Sequence, residues 1–176
     1  MSDQGGVPAA ILQARASIKP GGSDGPDLEQ IRAVVDTMVP FNNHVGIRIT
    51  ELAADHAVAE VADRPEFLNH LGTVHAGALF LAAEVSGAGA FSGALAARLG
   101  DVRFFALRSS RVAFLKPALG RIRATGTIDG PTIAAVLARG TEERFDLSGV
   151  SRLHDDSGLL VAKVDLEYVC MIGAPA

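Results

Sequence analysis

The sequence predicts an α+β protein in which an antiparallel sheet wraps around one long, buried helix. The first observation behind this is the stretch 76–97: twenty-two residues with a single charge, Glu84, nine alanines, four glycines and six larger apolar side chains. Gly87, Gly89 and Gly93 fall inside it, and each interior glycine costs a helix roughly 0.8–1 kcal/mol relative to alanine. So many small residues on every face make sense where neighbouring backbone packs closely all round. The second observation is the strand-rich half beyond Gly100, where apolar and β-branched residues alternate between turn signals. The third is size: 176 residues suffice for one domain with an adequate core and no disulfide.

The elements follow in order. Residues 1–26 are rich in Gly, Pro and Ser around a short helix-like stretch and read as a mobile arm, leaving 27–176 as one domain. Asp27 followed by Gln30 resembles a capping box, and Ile31, Val34, Val35 and Met38 recur at helical spacing until Pro40. Residues 47–52 and 57–62 alternate as two strands. Residues 65–71 read as a loop, and Thr73 as the N-cap of the long helix, which runs to about Leu99. Strands are predicted at 102–115, 121–128, 144–154 and 159–169, with a turn at 155–158. The alanine-rich stretch 131–141 is too long for a tight hairpin and predicts a short helix.

Composition excludes several classes. A net charge of −4 with 48% apolar residues describes a globular protein, not a disordered one. The single cysteine, Cys170, cannot pair internally, which fits a reducing cytoplasm. No signal peptide is visible. A membrane span at 76–97 is disfavoured, because a mid-span carboxylate adds roughly 2.5–3.5 kcal/mol to insertion and Ala and Gly offset little of it. The five histidines are scattered, so no metal site is implied.

The concentrated chemistry lies between Asn69 and Glu84. No charged residue occurs for eight positions before Glu84 or thirteen after it, and its helix face carries Gly77, Phe80, Leu81, Gly87, Ala88 and Phe91. A carboxylate there is partly desolvated, either as a buried structural hydrogen-bonding group or as a functional one. Desolvation raises its pKa and suits it to general-base work near neutral pH. At the helix start, Asn69-His70-Leu71-Gly72-Thr73-Val74-His75-Ala76-Gly77, the first-turn N–H groups lack intrahelical acceptors. The N–H of Ala76 or Gly77 is suited to a developing oxyanion. Asn69 either binds the same carbonyl or caps its own loop.

Asn69, His75-Ala76-Gly77 and Glu84, nine residues after the histidine, resemble the pattern of hotdog-fold thioesterases, most nearly the PaaI-like acyl-CoA thioesterases. The phrase Arg111-Val112-Ala113-Phe114-Leu115-Lys116-Pro117-Ala118 is similar to the strand that follows the family's helix. The resemblance covers residues 41–169. It implies acyl-CoA hydrolysis without metal or organic cofactor, with Asn69 near the substrate carbonyl, Ala76 N–H polarising it, Glu84 as the catalytic carboxylate, and His75 and Gly77 lining the substrate. Two departures stand out. The family's His-Gly-Gly is His-Ala-Gly here, and Leu107 stands where some relatives place Ser or Thr. Ser109, two residues on and read as sharing that strand face, is the available substitute.

Ala76 and Glu84 are eight residues apart on one helix, roughly 12 Å along its axis. Both can reach one carbon only if they come from different subunits, which implies a homodimer or a dimer of dimers. Between Arg98 and Arg123 lie seven basic residues against one acid. They form either a solvated face or, through Arg108, Arg111 and Arg123, a grip on coenzyme A phosphates. Nucleic acid is disfavoured by the acidic balance and the lack of interleaved aromatics. Two alternatives remain open. One is a non-catalytic acyl-thioester sensor, to which Ala76 and Leu107 point. The other is a 3-hydroxyacyl-thioester dehydratase or hydratase pairing His70 with Glu84.

Overall fold

The computed structural model describes residues 25–175. The arm expected over 1–26 therefore lies outside the described residues, apart from Gly25 and Pro26. Helix α1 (Leu28–Met38) starts where the capping box places it, with the Asp27 carboxylate accepting the Gln30 N–H at 2.9 Å. It buries Ile31 and Val35. Val39 takes an extended conformation, as a residue before proline prefers, and Pro40 opens a second helix, α2 (Pro40–Val45), closed by Gly46 in the left-handed region. The sequence reading used Pro40 only as a stop. Proline also suits a first helical position, where its missing N–H is not needed.

Six strands follow: β1 (Arg48–Leu52), β2 (His56–Val61), β3 (Val102–Phe114), β4 (Ile122–Ile128), β5 (Glu143–Asp155) and β6 (Leu160–Ile172). They form one antiparallel sheet in the order β1-β2-β4-β5-β6-β3. Asp155 organises the turn between β5 and β6, its Oδ1 accepting from the Ser157 and Leu159 N–H groups at 2.9 and 3.0 Å, while Gly158 supplies the positive φ. The alanine-rich segment forms helix α4 (Gly130–Arg139), burying Ile133 and Val136.

Helix α3 (Ala76–Ala94) crosses the inner face of this sheet, chiefly over β2 and β4. It ends five residues before the expected Leu99, and residues Ala96–Asp101 tighten into a 3-10 turn broken at Arg98. Arg98 is held there by Asp101 and by the Gly173 carbonyl. Small residues decide how close α3 lies. A Cβ on Gly93 would meet the Ala53 carbonyl oxygen at 2.0 Å, and one on Gly126 of β4 would meet the Ser86 carbonyl at 2.4 Å and the Gly87 nitrogen at 2.6 Å. Ser86 Oγ and Ser151 Oγ of β5, both buried, close the same contact at 2.8 Å.

The two edges of the sheet differ. At β1 the Asp36 carboxylate accepts the Ile49 N–H at 2.7 Å, and Arg32 donates to the Ile49 carbonyl at 2.8 Å. Helix α1 thus covers that edge with side chains. At the other end β3 has β6 on one side and no strand on the other among the described residues. Its thirteen residues are largely exposed, with Phe104 and Phe114 at 51% and 52%.

Gly126→Ala should destabilise the protein by about 2–3 kcal/mol, because its methyl group meets helix backbone that cannot rotate aside. Gly100→Ala, in the 3-10 turn with open space around it, should be neutral or stabilising by about 0.5–1 kcal/mol. Urea denaturation of both variants checks the contrast, and equal effects would show that close approach at Gly126 does not limit the packing.

Candidate active site

The segment before α3 folds back on itself. His75 N–H donates to the Phe67 carbonyl at 2.7 Å and Asn69 N–H to the Thr73 carbonyl at 2.8 Å, with Gly72 supplying the positive φ. Asn69 holds this loop together. Its Oδ1 accepts the Leu71 and Thr73 N–H groups at 2.9 and 3.2 Å, and its Nδ2 donates to Thr73 Oγ1 at 2.9 Å. The two backbone donors fix which end of the amide is oxygen. The loop-capping role foreseen for Asn69 is therefore present, and one Nδ2 hydrogen is left for another acceptor. His70 is exposed at the tip.

Thr73 is not the N-cap of the long helix; His75 is. Its Nδ1 accepts the Gly77 N–H at 2.9 Å, an acceptor role that leaves the ring proton on Nε2 in the neutral form. Threonine instead serves Asn69, two residues upstream of the true cap. Gly77 allows the ring to fold back, since a Cβ there would lie 3.0 Å from Nδ1. The Ala78 and Leu79 N–H groups both reach the His75 carbonyl. Of the two oxyanion donors considered from sequence, Gly77 is thus already engaged. The Ala76 N–H has no acceptor among the described residues, and Ala76 is exposed.

Glu84 stands on the incompletely covered face of α3, with Phe80, Leu81 and Ala88 also half-buried around it. Its carboxylate meets no donor or cation among the described residues, and burial pushes its pKa above the ordinary value. No structural hydrogen bond accounts for it.

Strand β3 corrects the reading of Ser109. Leu107 pairs with Tyr168 and Ser109 with Glu167, and a register shift lies between them. Adjacent residues of β6 point to opposite faces, so the bulge sends Ser109 outward and brings Ser110, opposite Leu166, onto the face of Leu107. A bulge of this kind leaves no mark in an alternating apolar pattern.

Comparisons with known proteins bear on the family and the fold. The DUF4442 family profile, described as a domain of unknown function, matches residues 28–169. The chain belongs to the DUF4442 family. Comparison with curated protein sequences finds no match. Among solved structures, the chain is similar to a Pseudomonas aeruginosa protein described as a probable thioesterase of unknown function. Identity is 24%, the TM-score 0.66, and the match covers 83% of this chain and 96% of that one. It is similar also to a putative esterase from Mycobacterium tuberculosis, with 21% identity, TM-score 0.61, and coverage of 78% and 100%. A mutant of the phenylacetic acid degradation protein PaaI from Thermus thermophilus matches with 21% identity, TM-score 0.56, and coverage of 75% and 98%. These likenesses establish the hotdog fold. No helix of the DUF4442 domain is long and apolar enough to cross a membrane among the described residues.

The basic segment of this DUF4442 chain is largely neutralised at the surface. Arg108 pairs with Asp146 at 3.2 Å, Arg103 with Glu142 at 3.2 Å, and Arg123 with Asp156 at 3.0 Å. Arg111 stands opposite Asp165, which is taken by Lys163 at 2.9 Å. Arg111 and Lys116 have no ion pair among the described residues.

One polar group beside Glu84 was missed from sequence. Tyr168 of β6 is fully buried, its ring stacked on Phe105 at 4.6 Å, and its hydroxyl has no hydrogen-bond partner among the described residues. Burial raises the pKa of that hydroxyl, and the nearby Glu84 carboxylate raises it further. A buried unsatisfied hydroxyl costs about 1–3 kcal/mol, so its retention needs a reason.

A folded-state pKa above the unfolded value means that the Glu84 proton is held more tightly in the native protein. The associated stability is present below the unfolded pKa and is lost as pH rises through the folded one. Glu84→Gln should therefore raise stability near neutral pH and leave it unchanged in acid below the ordinary carboxylate pKa of about 4. Denaturation at both pH values measures this, and a gain of equal size at both would contradict desolvation as the cause.

Proposed function

We propose that the protein hydrolyses an acyl-coenzyme A thioester at a site completed by two subunits. The observation that carries this reading is Glu84, a desolvated carboxylate without a partner on an open helix face whose N-terminus presents a free Ala76 N–H. Water attacks the thioester carbon while Glu84 takes its proton. The carbonyl oxygen gathers negative charge that the Ala76 N–H and the spare Asn69 N–H stabilise. Collapse of the tetrahedral species expels the thiolate, which recovers the proton from Glu84 and leaves as the thiol. Direct attack by the carboxylate, through a mixed anhydride that water then opens, uses the same residues. Hydrolysis in water labelled with heavy oxygen tests the second route, since under single turnover label in Glu84 requires an anhydride opened at the Glu84 carbonyl. Hydroxylamine trapping of the anhydride covers opening at the substrate carbonyl.

Shared geometry follows from length. Roughly 12 Å separates Ala76 from Glu84 along one helix, so Glu84 of one protomer works with Ala76 and Asn69 of another. The bare edge of β3 and the half-covered face of α3 support a homodimer, alone or paired into a tetramer, because long exposed edges invite strand pairing. A reducing compartment, the cytoplasm, fits a sequence whose single cysteine, Cys170, is buried.

Glu84→Gln should lower kcat by roughly 10²–10⁴-fold while acyl-CoA binding persists. Mixing those subunits with Asn69→Ala subunits gives about half mixed dimers, each with one intact site, so about a quarter of wild-type activity should return. Inactive mixtures, once subunit exchange is verified, would refute the shared site. Near-normal turnover by Glu84→Gln would refute the chemistry.

For the coenzyme A handle, Arg111 is the stronger candidate because Arg108 and Arg123 are already engaged. Arg111→Ala should raise KM for coenzyme A thioesters more than for truncated pantetheine thioesters, with smaller changes for the Arg108 and Arg123 variants. Equal KM changes on both substrates would leave Arg111 as a solvated surface residue.

A further inference from the structure

Gly87 leaves the slot that the hydroxyl end of the Tyr168 ring fills, and Gly149 lies in ordinary contact with the ring edge. A Cβ on Gly87 would lie 2.2 Å from the Tyr168 hydroxyl, and one on Gly149 would lie 3.5 Å from the ring edge. Phenylalanine would fill the same slot without a buried hydroxyl. The hydroxyl lies against the turn of α3 that carries Glu84, since Glu84 and Gly87, three residues apart, share a helix face. Its other neighbours are apolar: Leu166 beside it, Phe105 stacked on its ring, and Leu107 and Leu147 opposite it on the flanking strands.

We propose that Tyr168 is a positioning residue whose hydroxyl donates to the Glu84 carboxylate and fixes the orientation from which Glu84 acts. The inference rests on the catalytic reading of Glu84. One side has a buried donor without an acceptor, the other an acceptor without a donor. The two groups are close enough for the Glu84 charge to act on the Tyr168 hydroxyl, and the Glu84 side chain has rotatable bonds with which to meet it. Among the described residues no other group pairs with Glu84. It is the only charged residue of α3, and Arg108 of β3 turns outward to Asp146 of β5. Arg123 of β4 and Glu60 of β2 pair with each other, and His56 of β2 pairs with Asp55 and with Glu51 of β1. Arg48 of β1 pairs with Asp36 of α1, and Glu29 and Arg32 of α1 pair with each other. Cys170, the other titratable group on the inner face of β6, pairs in register with Phe105 and Phe145. His75, nine residues before Glu84, is roughly 13 Å away along the helix. A hydrogen bond from Tyr168 favours the ionised carboxylate, so it partly offsets the effect of burial and keeps the base available at lower pH.

The test follows the Glu84 carboxyl carbon by NMR in the full-length protein carrying isotope-labelled glutamate, with the resonance assigned by its loss in Glu84→Gln. In Tyr168→Phe, which keeps the ring and its packing, Glu84 should titrate about one pH unit higher than in the wild type. An unchanged titration would overturn the proposal. With the preferred thioester, kcat in Tyr168→Phe should fall about tenfold at unchanged KM, and the acid limb of kcat/KM should move up with the carboxyl. A change in KM alone, with the pH profile unmoved, would overturn it equally. If the wild type releases no thiol from any acyl thioester, the catalytic reading fails while the NMR titration still decides the contact.

Discussion

Where Ser86 and Gly87 pass over Gly126, helix backbone and sheet backbone touch with no side chain between them. Most of the molecule follows from that contact. A helix that close must be poor in large side chains on the sheet side, which forces its composition of alanine, glycine and serine. Such a helix has little intrinsic stability and depends on burial for its existence. The sheet must in turn give way to it, and Gly126 of β4 leaves the room. The Ser86–Ser151 hydroxyl pair supplies the polar closure that so tight an approach permits.

The wrap is incomplete, and the chemistry lies where it stops. At β1 the backbone groups of the edge are taken by Arg32 and Asp36. At β3 they are not, and the helix face beneath remains half-covered. Glu84 occupies that face, held away from water by small and apolar neighbours yet unpaired. A desolvated, unpartnered carboxylate is costly to keep in any fold. Its position at the open side rather than in the closed core is what makes it accessible to a ligand or a second subunit.

The N-terminus of α3 shows how few atoms separate a structural from a chemical role. His75 satisfies the Gly77 N–H and so leaves the Ala76 N–H as the free donor. Asn69 spends its oxygen and one N–H on its own loop, which fixes the amide and leaves one N–H over. Rigidity in the loop and availability at the helix end thus come from the same hydrogen bonds, and preorganised donors of this kind stabilise charge without rearranging when it develops.

The sequence by itself determined the central helix, the succession of strands along the chain, the Asp27 cap and the isolation of Glu84. These depend on local spacing and on the cost of glycine in a helix, both of which are written in neighbouring residues. Tertiary structure decided the rest. Thr73 and His75 are each chemically able to cap, and only the pairing of Phe67 with His75 puts the histidine in place. Ser109 and Ser110 exchange faces at a bulge that depends on how β6 registers against β3. Tyr168 is one aromatic in an ordinary strand until the gap at Gly87 admits its hydroxyl beside the turn that carries Glu84. Arg108 and Arg123 look like free cations until Asp146 and Asp156, more than thirty residues away, are brought against them. In each case the deciding contact joins residues of separate segments, and periodicity along one segment carries no information about the register of another.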